Sequence, residues 1–346
     1  MSDDDLVIPV RADDPPAAID WLWEPYLTAG TVAVLDGDPG VGKSFLTLDL
    51  AARLSAGLPM PDGKPPPAAD YRVLVASAED VIEDTVVPRF LAAGGVLDRL
   101  TVFGGLSRRR RTARPAQFPR DFGALCRQLT RPPCCALAVL DPMMALFPAA
   151  VAVNSDQAVR EALSPFARVA AMTGTCFLFV RHLNKTGGGK SLYRGSGSIG
   201  IVGTVRNQLL AGVHPDDPDR RVLAAPKVNL GPRGPSLTYR LGERAGGFGV
   251  IWEGPTNLTG DDLCRPGAAD PGPADRAEKW LYRLLEGGPV PATRVEAEAA
   301  AAGIGFRLLK VVKKKLGVES RRVKRDGREY WEWGWPENGL WPLAPL

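Results

Sequence analysis

The chain has 346 residues, 45% hydrophobic and 24% charged, with a formal net charge of +4. That length suggests two domains or one large domain with an appendage, and the composition excludes wholesale disorder and a coiled coil. Gly (38) and Pro (32) are abundant but below the low-complexity range.

The five cysteines, Cys126, Cys134, Cys135, Cys176 and Cys264, form no C-x-x-C pair and sit mostly in apolar runs. A disulfide scaffold and a zinc ribbon are therefore not expected. The acidic start MSDDDLVIPVRADDPP lacks a basic region followed by an apolar one, and the most apolar stretch, 134–153, is interrupted by Asp141. The expectation is a soluble cytoplasmic protein with no membrane partner.

In chain order, the run TVAVL (31–35) reads as a strand buried on both faces, followed by a glycine-rich turn. A helix from Lys43 follows, with Phe45, Leu48 and Ala52 at helical spacing and Gly57 as C-cap. RVLVAS (72–77), LTVFGG (100–105), ALAVLD (136–141) and CFLFVRH (176–182) are further short apolar runs separated by helical stretches, including one at 80–91. Such alternation predicts an α/β fold with a mostly parallel central sheet. Between 201 and 251, IVGTVRNQLLAG, RVLAAP, LTYRLGE and GFGVIWE read as antiparallel strands extending the sheet edge.

Residues 259–274 have the Pro, Gly and Asp content of a linker between a larger domain, 1–258 with an extension at 1–27, and a smaller one at 275–335, leaving a tail at 336–346. In the smaller domain, helices are expected at 275–286, with Trp280, Leu281, Leu284 and Leu285 inward, at 293–302, and at 305–316. The third places Phe306, Leu309, Val312 and Leu316 on one face. A hairpin around Asp326-Gly327 completes a winged-helix-like α+β arrangement.

The sharpest motif is Gly37-Asp38-Pro39-Gly40-Val41-Gly42-Lys43-Ser44, which fits G-x-x-x-x-G-K-[ST] between a predicted strand and helix. The glycines let backbone N–H groups curl around phosphates, the helix N-terminus adds positive potential, and Lys43 reaches the β- and γ-phosphates of ATP. Ser44 is the expected Mg²⁺ ligand, and Asp141, after an apolar strand, is its expected partner. Glu79 follows another strand by two residues and is the candidate base that orients the attacking water, with Asp80 as the neighbouring alternative; the two could also serve merely as first-turn helix carboxylates.

GDPGVGKS, SAED, VLDPMMALF and FVRHLNK, in that order, resemble the RecA-fold ATPases of the RepA-like hexameric helicase group over about residues 20–255. The resemblance implies a homohexameric ring with ATP bound between subunits, and Glu79 as catalytic base. It also implies a γ-phosphate-sensing role for His182, and a central channel where Lys185, Lys190 and Arg194 contact single-stranded DNA. Arg206 looks like the arginine finger such proteins insert into a neighbouring site, and Lys227 has a similar claim; a finger in trans is worth up to about 10³–10⁵ in rate.

Residues 307–328 hold ten basic and two acidic side chains, so the rest of the chain is net acidic. Arg307, Lys310, Lys314, Arg321, Arg322 and Lys324 are the candidates for gripping duplex DNA, against the alternative of a solvated charged face. Arg108–Arg111 is read first as a mobile loop, with a second basic patch as the alternative. The expected activity is Mg²⁺-dependent ATP hydrolysis coupled to DNA, as a replicative-type helicase or motor. The alternative is an ATP-switched DNA-binding regulator or helicase loader that does not translocate.

Overall fold

The computed structural model describes residues 18–68, 70–110, 113–133, 135–148, 155–183, 191–193, 195, 199–264, 273–325 and 328–336. The chain divides into two compact units, residues 1–269 and 270–346.

The first unit begins with a small hairpin of β1 (Trp21–Trp23) and β2 (Leu27–Thr28), then β3 (Val32–Gly37) and α1 (Lys43–Ala56). Next come β4 (Arg72–Ser77), α2 (Val87–Ala92), β5 (Leu100–Val102), α3 (Phe122–Leu129), β6 (Cys135–Asp141), α4 (Met143–Leu146), α5 (Asp156–Thr173) and β7 (Cys176–His182). The unit closes with α6 (Ile199–Thr204), β8 (Asn207–His214), β9 (Asp217–Val228), β10 (Ser236–Arg244), β11 (Gly247–Thr256) and α7 (Gly260–Leu263).

The nine-stranded sheet runs β11-β10-β9-β8-β3-β7-β6-β4-β5. From β8 to β5 all neighbours are parallel, and from β8 to β11 all are antiparallel. The interior strands are buried along nearly their whole length because helices cover both faces. On one face α1, α2 and the β1–β2 hairpin pack into a core with Trp23, Tyr26 and Phe90. On the other, α3, α4 and α5 pack around Phe118, Phe166, Phe177 and Phe179.

Two local readings are corrected. Residues 201–212, expected as one strand, form α6 and then β8, and β8 is not an antiparallel edge strand but lies parallel to β3. β7 and β8 flank β3 on opposite sides, so a parallel β8 requires a crossover, and α6 lies within it. The expected helix at 80–91 is a π-helical turn, Ile82–Val86, running into α2. Pro88 in the first turn of α2 cannot donate the N–H that a continuous α-helix would require there.

At the carboxyl ends of the central strands lies a fully buried polar cluster. Asp36 of β3 and Arg181 of β7 stand opposite each other in register. Arg181 Nε donates to Asp36 Oδ1 at 2.6 Å, Arg181 Nη2 to Asp36 Oδ2 at 2.8 Å, and Gln208 Nε2 of β8 to Asp36 Oδ2 at 2.7 Å. Three parallel strands are thus joined by side chains as well as by their backbone ladder. Gly195 closes over the guanidinium so tightly that a Cβ there would lie 1.9 Å from Arg181 Nη2.

The second unit contains α8 (Pro273–Glu286), β12 (Val290–Pro291), α9 (Ala292–Ala301), α10 (Phe306–Lys315), β13 (Glu319–Arg325) and β14 (Arg328–Gly334). Its strands form one antiparallel sheet in the order β12-β14-β13. Leu281, Leu285, Val295, Leu309, Val312, Trp333 and Trp335 make its core, with Trp280, Leu284 and Leu316 half-buried around them. Phe306, expected inward, is 53% exposed with Lys310 Nζ 4.5 Å from its ring centroid. At the first position of α10 it lies beyond the helix's contact with α8 and α9, which Leu309 and Val312 supply.

The Asp36–Arg181 cluster predicts a specific stability pattern. Arg181→Met strands a buried carboxylate and lowers unfolding stability by about 3–5 kcal/mol. Adding Asp36→Leu recovers most of that loss in urea titrations. A double variant as unstable as the single one would contradict it.

Candidate nucleotide-binding site

The chain leaves β3 at Gly37, where a Cβ would meet the Ala211 carbonyl at 2.6 Å, so the close approach of β8 admits no side chain. Gly42, the N-cap of α1, has φ +88°, and a Cβ there would also lie 2.8 Å from Leu241 Cδ1. Between them the loop 38–42 turns outward with Pro39 and Gly40 exposed and Val41 buried. Tyr239 on β10 holds this turn from behind, its hydroxyl donating to the Val41 carbonyl at 2.8 Å. No side chain caps α1 and its first turn carries no acidic residue, so its first N–H groups and positive dipole end are uncompensated.

α1 is itself anchored. Asp49, buried on its inner face, accepts from Arg53 Nε (2.6 Å), Arg244 Nη1 (3.1 Å) and Trp252 Nε1 (2.9 Å). The β10–β11 hairpin therefore fixes both the helix and the loop that precedes it. These residues carry no motif, and the sequence did not mark them.

Lys43 is 6% exposed, and its Nζ donates to the carbonyls of Gly37 and Asp38, both at 2.9 Å, and lies 3.2 Å from His182 Nδ1. Burial pushes the Lys43 ammonium below the usual lysine range, while Asp141, Asp38, Asp36 and Glu79 oppose that shift. Burial first, and then the neighbouring ammonium, hold His182 below its ordinary value. A neutral imidazole accepting from Lys43 at Nδ1 has its proton on Nε2, an assignment made from the partner. His182 thus sits at the Lys43 tip, the place a terminal phosphate would occupy.

Ser44 Oγ donates to Asp141 Oδ2 at 2.6 Å. Burial, with Asp80 and Glu79 nearby, drives the Asp141 carboxyl up to about 6 despite the Ser44 hydrogen bond and the charge of Lys43. A desolvated carboxylate facing a hydroxyl at the end of the phosphate loop suits a divalent cation held partly by phosphate oxygens, so Ser44 and Asp141 fit Mg²⁺. Ser44 and Asp141 would hold it, with nucleotide phosphates and water completing the shell. Bound there, Mg²⁺ supplies charge neutralisation for the phosphoryl group.

Glu79 is exposed, yet its charge acts on Lys43, His182 and Asp141. Asp80 is engaged elsewhere, its N–H donating to Ser77 Oγ at 3.2 Å and its carboxylate accepting from Arg89 at 3.3 Å. Of the two carboxylates, Glu79 is the one open to solvent.

Other expected residues lie apart. Arg206 is exposed at the amino-terminal edge of the sheet, its N–H donating to the Val32 carbonyl at 2.9 Å, opposite the edge that carries Gly37. Lys227 shares that edge and donates to the carbonyls of Val202 and Val205 at the end of α6; burial, then Arg206, push its ammonium down. Neither reaches the phosphate loop of its own copy. Lys185, Lys190 and Arg194 lie outside the described residues.

In the second unit, Arg307, Lys310 and Lys314 are exposed along one side of α10 at i, i+3 and i+7. Arg321 donates to the Trp335 carbonyl at 2.7 Å, Arg322 pairs with Glu329, and Lys324 is exposed. The α10 stripe is therefore freer for a ligand than Arg321 or Arg322 on the hairpin.

Asp141 sets a pH signature. Its folded value of about 6 lies above the ordinary 3.8, so the ionised form costs stability above pH 6, and the cost fades as pH falls toward 4. In chelator, without nucleotide, Asp141→Asn should therefore be more stable than wild type at pH 8 by about 1–3 kcal/mol, with the gain vanishing near pH 4. A variant destabilised at pH 8 would contradict this.

Among the described residues no helix is long and apolar enough to cross a membrane. No curated protein matches the sequence. A family model for the AAA domain matches residues 4–188, more than half of the chain and a span that includes the phosphate loop, Glu79, Asp141 and His182. The chain belongs to the AAA domain family of P-loop ATPases.

Proposed function

We propose that this ATPase is a RepA-like ring motor, a homohexamer whose ATP hydrolysis drives movement on DNA, with the second unit serving as a winged-helix DNA-binding domain. The observation that carries the reading is the convergence of Lys43, Ser44, Glu79, Asp141 and His182 at one sheet edge. Five groups from four strand ends match what phosphoryl transfer to water requires: a phosphate cradle, a cation shell, a base and a polar sensor.

The chain's own residues divide the work. Lys43 gives up the Gly37 and Asp38 carbonyls and His182 for the phosphates, exchanging neutral acceptors for charged ones. That exchange frees the Nδ1 lone pair of His182, so phosphate occupancy is reported to β7 and to the chain that follows it. Glu79 takes a proton from the attacking water. Arg206 and Lys227, side by side on the far edge, have no partner site in one copy, and their use as fingers requires a neighbouring subunit. Lys185, Lys190 and Arg194 follow the His182 strand directly in sequence, which supports assigning them to a single-stranded DNA path.

For the second unit, helix, short strand, two helices and a hairpin are the succession expected of a winged helix, and the Arg307, Lys310 and Lys314 stripe on α10 supports duplex contact there.

The test is ATPase rate with and without single-stranded DNA, for wild type and Arg206→Ala, beside a mass determination in ATP. The expected result is a ring whose rate DNA raises, and an Arg206→Ala variant that binds ATP but turns over about 10³-fold more slowly. A monomer with a rate indifferent to DNA would replace the motor with an ATP-switched regulator or loader.

A further inference from the structure

The stretch Leu106–Arg110, which carries part of the arginine run read first as a mobile loop, is held against the segment that leaves Glu79. Val81 bridges Leu106 in parallel fashion, and the Ile82 N–H donates to the Leu106 carbonyl at 2.9 Å. Glu83 then grips the loop: Oε1 accepts from Ser107 Oγ at 2.5 Å and Oε2 from the Arg108 N–H at 3.0 Å. Ser107 Oγ also accepts from the Arg110 N–H at 3.1 Å, and Arg108 pairs with Asp84 at 2.7 Å. The Ser107 hydroxyl, followed by backbone N–H groups of the loop, holds the Glu83 carboxyl down at about 2, so the grip stays charged throughout the physiological range.

The contacts made by Ile82, Glu83 and Asp84 fall on Ile82–Val86, the π-helical turn that starts three residues after Glu79. Single π-turns occur frequently at functional sites. Arg108 is spent on Asp84. Arg109 and Arg110 are exposed and have no ion-pair partner among the described residues. Together with Ile82, Glu83, Val87, Val102 and Ser107 they line a cavity of about 430 Å³. Ile82, Val87 and Val102 give the cavity aliphatic lining, Arg109 and Arg110 line it with cationic side chains alongside the Glu83 carboxylate, and the adjacent Leu106 is 38% exposed. Aliphatic lining can contact a sugar or base edge while guanidiniums without an ion-pair partner accept a phosphate, a pairing that suits a nucleotide unit better than a run of carboxylates.

We infer that Arg109 and Arg110 form a nucleic-acid backbone site on the ATPase unit, and that Glu83 couples its occupancy through the π-turn to Glu79. This deepens the DNA-dependent reading above and rests on it. It adds a contact outside both the segment after His182 and the second unit, and assigns positioning roles to Glu83 and Ser107.

The test uses the full chain, with a labelled oligothymidylate as probe and salt-dependent affinity read together with the ratio of ATPase rates with and without it. In the Arg109→Ala/Arg110→Ala variant, the slope of log affinity against log salt becomes shallower by about 1.4, two single-strand phosphate contacts, and the stimulation ratio falls at least five-fold. Glu83→Ala and, independently, Ser107→Ala keep the wild-type slope and lose the stimulation. A double variant with the wild-type slope overturns the site, and a Glu83→Ala variant with the wild-type ratio overturns the coupling. Binding of polyglutamate, with the same arginine dependence but without oligothymidylate binding, overturns it in favour of an acidic protein partner. Wild type inactive on ATP would defeat the motor reading, while the salt slope would still decide the arginine site.

Discussion

The structure depends on an ion pair buried where water cannot reach it. Asp36 and Arg181 sit in register on neighbouring parallel strands, with Gln208 completing the carboxylate's partners. Such a pair contributes little net stability, because desolvation offsets most of the attraction, but it penalises every register that separates the charges. One residue further along, the same register brings Gly37 level with His182. The start of the phosphate loop and the residue facing Lys43 are aligned by a contact that neither of them makes.

The antiparallel half of the sheet supplies a second constraint. A glycine-rich loop pays a large conformational entropy on ordering, and here the ordering comes from outside the loop. Tyr239 binds the Val41 carbonyl, Leu241 fills the space over Gly42, and Arg244 and Trp252 hold Asp49 on the helix. The anion cradle is shaped before any anion arrives, with Lys43 parked on carbonyl and imidazole acceptors that phosphate oxygens can displace.

The parts of this arrangement that were legible in the sequence are those written locally. Continuous apolar runs marked β3, β4, β6 and β7, and the glycine, lysine and serine spacing marked the phosphate loop. Arg181 lies inside the apolar run 176–182 and Asp36 just after TVAVL, and their partnership appears only once β3 and β7 are known to be neighbours. The parallel placement of β8 was hidden for the same reason, since its apolar run is equally compatible with an edge. The stretch after Glu79 read as a plain helix over 80–91, and nothing local specified a π-turn gripped by Ser107 and Arg108. Phe306 followed the right periodicity and is still exposed, because periodicity does not say where a neighbouring helix ends.

The central claim is that the edge formed by Gly37, Lys43, Ser44 and Asp141 is an ATP site whose occupancy draws Lys43 away from His182. It is tested most directly by following the His182 imidazole resonances by NMR during an ATP and Mg²⁺ titration of wild type and Lys43→Ala. Burial and then the ammonium beside it hold His182 low, and the account predicts a resonance that shifts with saturating ATP in wild type and is already displaced, and insensitive to ATP, in Lys43→Ala. A His182 signal unmoved by ATP in wild type, or the same ATP response in both proteins, would contradict it.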